Sequence, residues 1–452
     1  MRAERTVQSS IFERYAEHEI GLELQAMSAW LDAQPELLAW VAADLKTGVV
    51  QATGRQGLSC ESVLRCAILK QYRQLSYEEL AFCLLDSISC QAFARLTTGW
   101  VPKKAALQSV ISQISDTSWE RINQHLLQQA GTARIERGDM LRIDSTVTDT
   151  PIHEPSDSTL LWDSVRVLVR LLKQARELAG GRVPIAFCDH RRRAKKRMRA
   201  IRYTRGQDKK VALYQDLIAV TEKSLAYAEQ ADLSLRAHRA ALSWDYDAWQ
   251  AQLAHFTPLI WRVIAQTERR VLRGEKVPAK DKLVSLFEAH TDIIVKGSRD
   301  VQYGHKLNLS TGRSGLVLDV VIEDGNPADA ERLLPMLDRH IAQYGRPPRQ
   351  MAADGGYASI ANLDAAKARQ VDDVVFHKKR GLAIEDMAKS PWVYRKLRNF
   401  RAGIEAGISC LKRAYGLGRC TWKGLAHFKA YVWSSVVAHN LALLARLKPI
   451  PT

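Results

Sequence analysis

The sequence predicts a mixed α/β chain: a sheet flanked by helices, opened after its first strand by a long helical block, with an all-α segment in front. Three observations predict it. Short β-branched runs occur at 139–150 and cluster again from 291 to 376. Between them lie long stretches of helical periodicity. Residues 1–135 read as helical throughout.

In the N-terminal segment, 1–135, "SCESVLRCAILKQY" puts apolar residues at 63, 64, 67 and 68, one face of a helix. "LSYEELAFCLLD" opens on Ser76 with Glu79 three residues on, the pattern of a capping box. "SISCQAFARL" and "VPKKAALQSVISQI" follow, the latter opened by Lys103, Lys104 and Gln108. Helices of this length with short connections suit a helix-turn-helix-like DNA-binding module. They fit a generic bundle equally well.

The texture changes within 136–158, where "LRIDSTV" reads as a strand. Residues 159–280 return to helix in "TLLWDSVRVLVRLLKQARELAGG" and "ALYQDLIAVTEKSLAYAEQADLSLRAHRAAL". Between these two lies a basic segment. Positions 191–210 hold eleven Lys or Arg, among them Arg191, Arg192, Arg193, Lys195, Lys196 and Arg197, against one acid, Asp208. Such a density of like charge is self-repelling without an anion, so the segment reads as a phosphate-tracking surface or as a solvated loop.

Residues 281–452 complete the sheet. "TDIIVKG", "VQYGHKLNLST" and "GLVLDVVIEDG" read as strands, and "PADAERLLPMLDRHIAQYG" as a helix with Asn326 as its cap. "PRQMAADGGYAS" is a short strand ending at Asp354, and "VDDVVFHKKR" is another. Helices at about 392–416 and 424–447 close the chain. The order suits a ribonuclease-H-like core interrupted by a helical insertion.

Composition narrows the partner. The 452 residues carry a net charge of +17, which favours a polyanion such as nucleic acid. The seven cysteines form no CxxC pair, which suits reduced thiols and a cytoplasmic setting. The first thirty residues carry Glu4, Arg5, Glu13, Arg14 and Glu17 and no apolar core of signal-peptide length. The most apolar tail stretch, "AYVWSSVVAHNLALLARL", holds Ser, His and Asn and is too polar to span a membrane.

Three acids occupy places where chemistry is possible. Asp144 lies inside an apolar strand, Asp354 ends a strand before two glycines, and Glu405 sits mid-helix. A strand-end carboxylate beside a second strand and a facing helix suits divalent cations, since Mg²⁺ prefers oxygen ligands. Taken singly, each also has a plain reading: a strand-edge polar residue, a turn former, a solvated helix charge. On the helix, Arg401, Glu405 and Lys412 fall within about 40° of one another, beside an apolar stripe of Ile404, Ile408, Leu411 and Tyr415.

These segments resemble a known family. "R-x3-E-x6-K" (Arg401, Glu405, Lys412) is similar to the Y-x2-R-x3-E-x6-K motif of bacterial insertion-sequence DDE transposases. "RIDST" and "AADGGYAS" resemble the strands that carry that family's two aspartates. "YGHKLNLST…GLVLDVVIEDGNPADAERLLPML" and "GLSCESVLRCAILKQYRQLSYEELAFCLLDS" resemble its central and N-terminal segments. "LLWDSVRVLVRLL" looks most like the ISNCY group. The resemblance covers about 40–445, and it departs at one point: the motif's tyrosine position holds Arg398.

The resemblance implies a transposase that binds terminal inverted repeats, nicks the transposon ends and joins the 3′-OH to target DNA. Asp144, Asp354 and Glu405 would hold two Mg²⁺ ions, with Mn²⁺ as a substitute. Arg401 and Lys412 would grip phosphates; Arg398 either takes over the tyrosine's phosphate contact or stands where this group never used the tyrosine. His305 and Lys306 on the second core strand either reach DNA or form a satisfied strand-edge pair. Trp162, Trp244, Trp249 and Trp261 either stack on an unpaired base or fill the core. The implied partners are double-stranded DNA and a second copy of the chain in a synaptic homodimer, with no membrane. The implied location is the cytoplasm, at the nucleoid. A DNA-binding relic that no longer cuts, and a nuclease of the same fold, are the competing readings.

Overall fold

A computed structural model describes residues 15, 17–45, 57–96, 100–239, 245–296 and 300–447. Glu4, Arg5, Glu13, Arg14 and Trp244 lie outside them. The chain divides into two units, Met1–Thr150 with Gly304–Thr452, and Pro151–Tyr303.

Among the described residues the first unit opens with seven helices: α1 (Glu19–Asp32), α2 (Leu37–Leu45), α3 (Cys60–Tyr72), α4 (Tyr77–Asp86), α5 (Ile88–Phe93), α6 (Lys104–Ile111) and α7 (Asp116–Thr132). The capping box at Ser76 and Glu79 is formed. These helices do not keep a core of their own. They share one with the sheet and the last helix, which is why no break between compact units falls at 135. Strand β1 (Met140–Asp149) follows and ends the first passage through the unit.

The second unit holds α8 (Asp157–Ala179), α9 (Arg191–Tyr203), α10 (Gln207–Arg236), α11 (Asp245–Thr267) and strand β2 (Asp292–Lys296). It is wider than 159–280 for two reasons. Ser156 caps α8, so the helix begins earlier, and Leu283 and Leu286 belong to the same core as α8 and α10. Asp157 is fixed there by Arg270 at 2.8 Å and Gln266 at 3.1 Å. The basic segment is largely helical, as α9 and the start of α10, with only Ala194 and Ile201 of α9 buried. Trp249 is core, its Nε1 donating to Leu171 O at 2.8 Å, whereas Trp261 is 46% exposed.

Strand β3 (Asp300–Thr311) leads back to the first unit, followed by β4 (Val317–Ile322), α12 (Leu333–Tyr344), β5 (Gln350–Ala353), α13 (Ile360–Ala368), β6 (Asp373–Phe376), α14 (Ile384–Met387), α15 (Pro391–Ala414) and α16 (Leu425–Leu447). The sheet order is β2-β3-β1-β5-β6, with β4 also on β3. β3 runs antiparallel to β1 and β4, while β5 runs parallel to β1 and β6. The sheet is therefore mixed. Two differences from the sequence pattern have plain causes. α13 joins β5 to β6, as a parallel pair needs a crossover. The helix after Asn326 starts only at Leu333, behind a 3₁₀ turn at Asp329–Arg332, so Asn326 is not its cap.

The tail stretch is a core helix. α16 packs on α7, α3, α1 and β4 and is buried almost all round. Ser434 and Ser435 donate to Tyr431 O, Asn440 Nδ2 donates to Asn123 Oδ1 at 2.7 Å, and Asn440 Oδ1 accepts from Val317 N at 2.9 Å. No helix among the described residues is long and apolar enough to cross a membrane. His439 lies in the same helix, edge-on to Tyr415, and burial lowers its pKa to about 4. The folded state thus holds it neutral. The neutral form's contribution is complete above the unfolded pKa of about 6.5 and is lost as pH falls toward 4. We expect the melting temperature to drop across that window, by on the order of 2–3 kcal/mol of stability. His439→Gln should flatten the drop; an unchanged pH profile in that variant would show another group responsible.

Candidate active site

The sheet register sets the first two acids side by side. Ile143 on β1 stands opposite Ala353 on the parallel strand β5, so the next residues, Asp144 and Asp354, come level. Asp354 is the first residue past β5, where the chain turns through Gly355–Tyr357. Gly355 is required, because a Cβ there would lie 2.7 Å from Lys378 Cβ.

Helix α15 lies against β1 and β5 and supplies the third acid. Ser390 caps it and Pro391 occupies its first position, where a missing N–H costs nothing. Arg142 on β1 holds it down: Nη1 donates to Phe400 O at 2.7 Å, and Nε to Thr311 Oγ1 at 2.6 Å. Gly403 makes room, since a side chain there would collide with the Arg142 guanidinium.

This places Arg401 among all three acids. Its Nη2 lies 2.8 Å from Asp144 Oδ2 and 3.5 Å from Asp354 Oδ1, and Nη1 is bonded to the Glu405 carboxylate. The guanidinium is buried, and its Nε has no hydrogen-bond partner. The acids grade outward, with side chains of Asp144, Asp354 and Glu405 14%, 40% and 64% exposed. Asp144 Oδ1 also accepts from Ser145 N at 2.8 Å. The donor set is all oxygen, which suits Mg²⁺. Yet among the described residues no group of three or more His, Cys, Asp or Glu is arranged to hold a metal ion. What the three acids share is Arg401.

Arg401 was expected to face a phosphate and instead faces the carboxylates. Arg398, three residues earlier on α15, is exposed. Lys412 is half-buried near Asp149 at the end of β1; burial lowers its pKa and the nearby carboxylate raises it. His305 and Lys306 are correctly placed on β3 but are not available to DNA. They sit inside the sheet, opposite Thr148 and Val147, and are 3% and 5% exposed. His305 stacks edge-on to Phe428, and Lys306 Nζ pairs with Asp329 Oδ1 at 2.6 Å.

On α9, Arg191 pairs with Asp189 at 2.6 Å, and Arg193 and Arg197 both pair with Asp216. Arg192, Lys195 and Lys196 are exposed and have no ion pair among the described residues. Trp162, Arg192, Lys195 and Arg166 line one cavity there, with Arg166 5.9 Å from the Trp162 ring. Lys103 and Lys104 are exposed at the start of α6, Lys104 paired with Glu78 at 3.1 Å.

Sequence reasoning missed Tyr357, fully buried behind the acids. Its hydroxyl donates to Asn308 Oδ1 at 2.9 Å, and Asn308 Nδ2 donates to Glu323 Oε1 at 2.7 Å. Burial, then the charges of Asp329 and Asp144, push the Tyr357 pKa up, so it stays a neutral donor. The signal was present: an Asn in the middle of the apolar run "KLNLS" needs a buried partner.

An acid in the middle of β1, one just past the end of β5 and one on the covering helix α15 thus meet at a single carboxylate-centred site. Residues 296–441 are similar to the family described as the transposase DDE domain. The matched stretch takes in Asp354, Arg401, Glu405 and Lys412, while Asp144 lies before it. No curated protein and no solved structure matches the chain.

Proposed function

We propose that the chain is an insertion-sequence DDE transposase of the ISNCY-like group, with a ribonuclease-H-like catalytic core. It would cut transposon ends and join their 3′-OH to target DNA. The observation that supports this reading is the convergence of Asp144, Asp354 and Glu405 on Arg401, level with the end of β5. Those three carboxylates would hold two Mg²⁺ ions, which when bound would supply nucleophile activation and charge neutralisation at phosphorus.

The chain's own residues carry the rest. Asp144 is the most enclosed acid, oriented by the Ser145 amide and by a strand fixed in mid-sheet. Arg401 acts as the resident counter-cation of the triad. It must give up carboxylate contacts before those oxygens can serve a metal, and it is then free to meet a phosphate. The exposed cations of α9 hold the DNA backbone, as does the start of α6. Synapsis of two ends implies a homodimer, working on DNA in the cytoplasm.

A duplex bearing the terminal repeats, incubated with the chain and Mg²⁺, tests the reading. Metal-dependent nicking at the repeat end is expected. Tight binding without nicking would leave a DNA-binding relic, and nicking without joining a nuclease. A separate expectation concerns α9. Arg192→Ala, Lys195→Ala and Lys196→Ala together should weaken DNA binding. They should also reduce the slope of log affinity against log salt by up to about 3, near 0.9 per lost phosphate contact. Anisotropy titrations across salt measure it, and an unchanged slope would remove α9 from the interface.

A further inference from the structure

Lys70 is a buried cation with no ion pair among the described residues, the nearby charge of Glu79 offsetting only part of its burial. It lies in the last turn of α3, is 4% exposed, and makes no ion pair or side-chain hydrogen bond among the described residues. Its Nζ stands over two rings, 4.9 Å from the centre of Tyr77 and 5.8 Å from that of Trp422. Ring faces attract an ammonium but offset only part of the cost of taking it out of water. Burial accordingly lowers its pKa to about 8.

Lys70 does not point into packed core. It lines a cavity of about 660 Å³ together with Lys104, Lys412, Arg419, Tyr77 and Trp422. The two acids on the wall are already engaged: Glu78 with Lys104 at 3.1 Å, and Glu79 with the Ser76 amide at 2.7 Å. A desolvated ammonium, further cations around it and open volume in front of it are complementary to an anion.

We propose that this cavity is a phosphate-binding site with Lys70 as its buried cation, and that the phosphate is one of a DNA strand. Lys412 lies seven residues beyond Glu405 on α15, about 10 Å along the helix. A phosphate held here therefore lies within a few nucleotides of the triad. That the phosphate belongs to DNA rests on the transposase reading; the anion site rests on the cavity and on Lys70.

Lys70→Met in the full chain tests it, because methionine fills the same volume without charge. The variant should fold with a melting temperature at or above that of the parent. It should bind duplex DNA about tenfold more weakly, with a salt slope lower by about 1. In the unmodified chain, DNA should slow acetylation of Lys70, read by mass spectrometry. This arm decides the matter if the variant fails to fold. Protection by inorganic phosphate but not by DNA would keep the anion site and discard the DNA strand. A parent chain that binds no DNA yet is protected by phosphate would sink the transposase reading alone. Equal DNA affinity and slope in parent and variant, with no protection by either ligand, would overturn the proposal.

Discussion

Asp354→Asn is expected to leave the chain folded and bound to DNA while lowering Mg²⁺-dependent strand cleavage by roughly 10³-fold or more. That is about 4 kcal/mol of transition-state stabilisation. The two properties separate because of where Asp354 sits. Its side chain is 40% exposed and its one ion pair within the triad is long, 3.5 Å to Arg401. Such a pair contributes about 1 kcal/mol or less to the fold. Asparagine keeps the shape and removes the charge. Asp144→Asn should be equally inactive but less stable, since Asp144 is more enclosed and its pair with Arg401 is shorter, 2.8 Å. Cleavage rate, DNA anisotropy and melting temperature, measured on the same preparations, give the comparison. Cleavage by Asp354→Asn within tenfold of the parent would remove it from the site.

Arg401→Gln is the second large effect, and its sign is unusual. Removing the shared guanidinium leaves three neighbouring carboxylates without their cation. Breaking a buried pair costs about 3–5 kcal/mol, but Asp354 and Glu405 reach water, so about 2 kcal/mol is expected here. The same change removes a cation that competes with metal. Mn²⁺ affinity, followed by electron paramagnetic resonance without DNA, should therefore tighten on the order of tenfold, near 1.4 kcal/mol. Metal should also restore much of the lost melting temperature, since it binds the folded state. Arg401→Lys should fall between parent and Gln. Weaker Mn²⁺ binding in Arg401→Gln would mean that Arg401 assembles the triad rather than occupying it.

The outline of the fold was legible because each element carried its own local signal. Ser76 and Glu79 announced a helix start, and "LRIDSTV" a strand. What escaped were features set by distant partners. The crossover helix α13 is short and has almost no apolar face, so only the parallel pairing of β5 with β6 requires it. Lys306 looks like an available cation until Asp329, from the turn after β4, closes on it. The acids at 144, 354 and 405 were picked out through motif resemblance, since 210 and 51 residues separate them and spacing alone says little. Their meeting point on Arg401 was not visible, because an i,i+4 Arg–Glu pair reads as an ordinary surface contact until a strand brings Asp144 beneath it.

The central claim is that this carboxylate site joins DNA ends. It is tested most directly by supplying a pre-cut duplex with its terminal repeat ending in a free 3′-OH, a supercoiled plasmid and Mg²⁺. Covalent attachment of the duplex to the plasmid is expected from the parent chain, and none from Asp354→Asn. Tight, repeat-specific binding of the duplex by the parent with no joined product would contradict it.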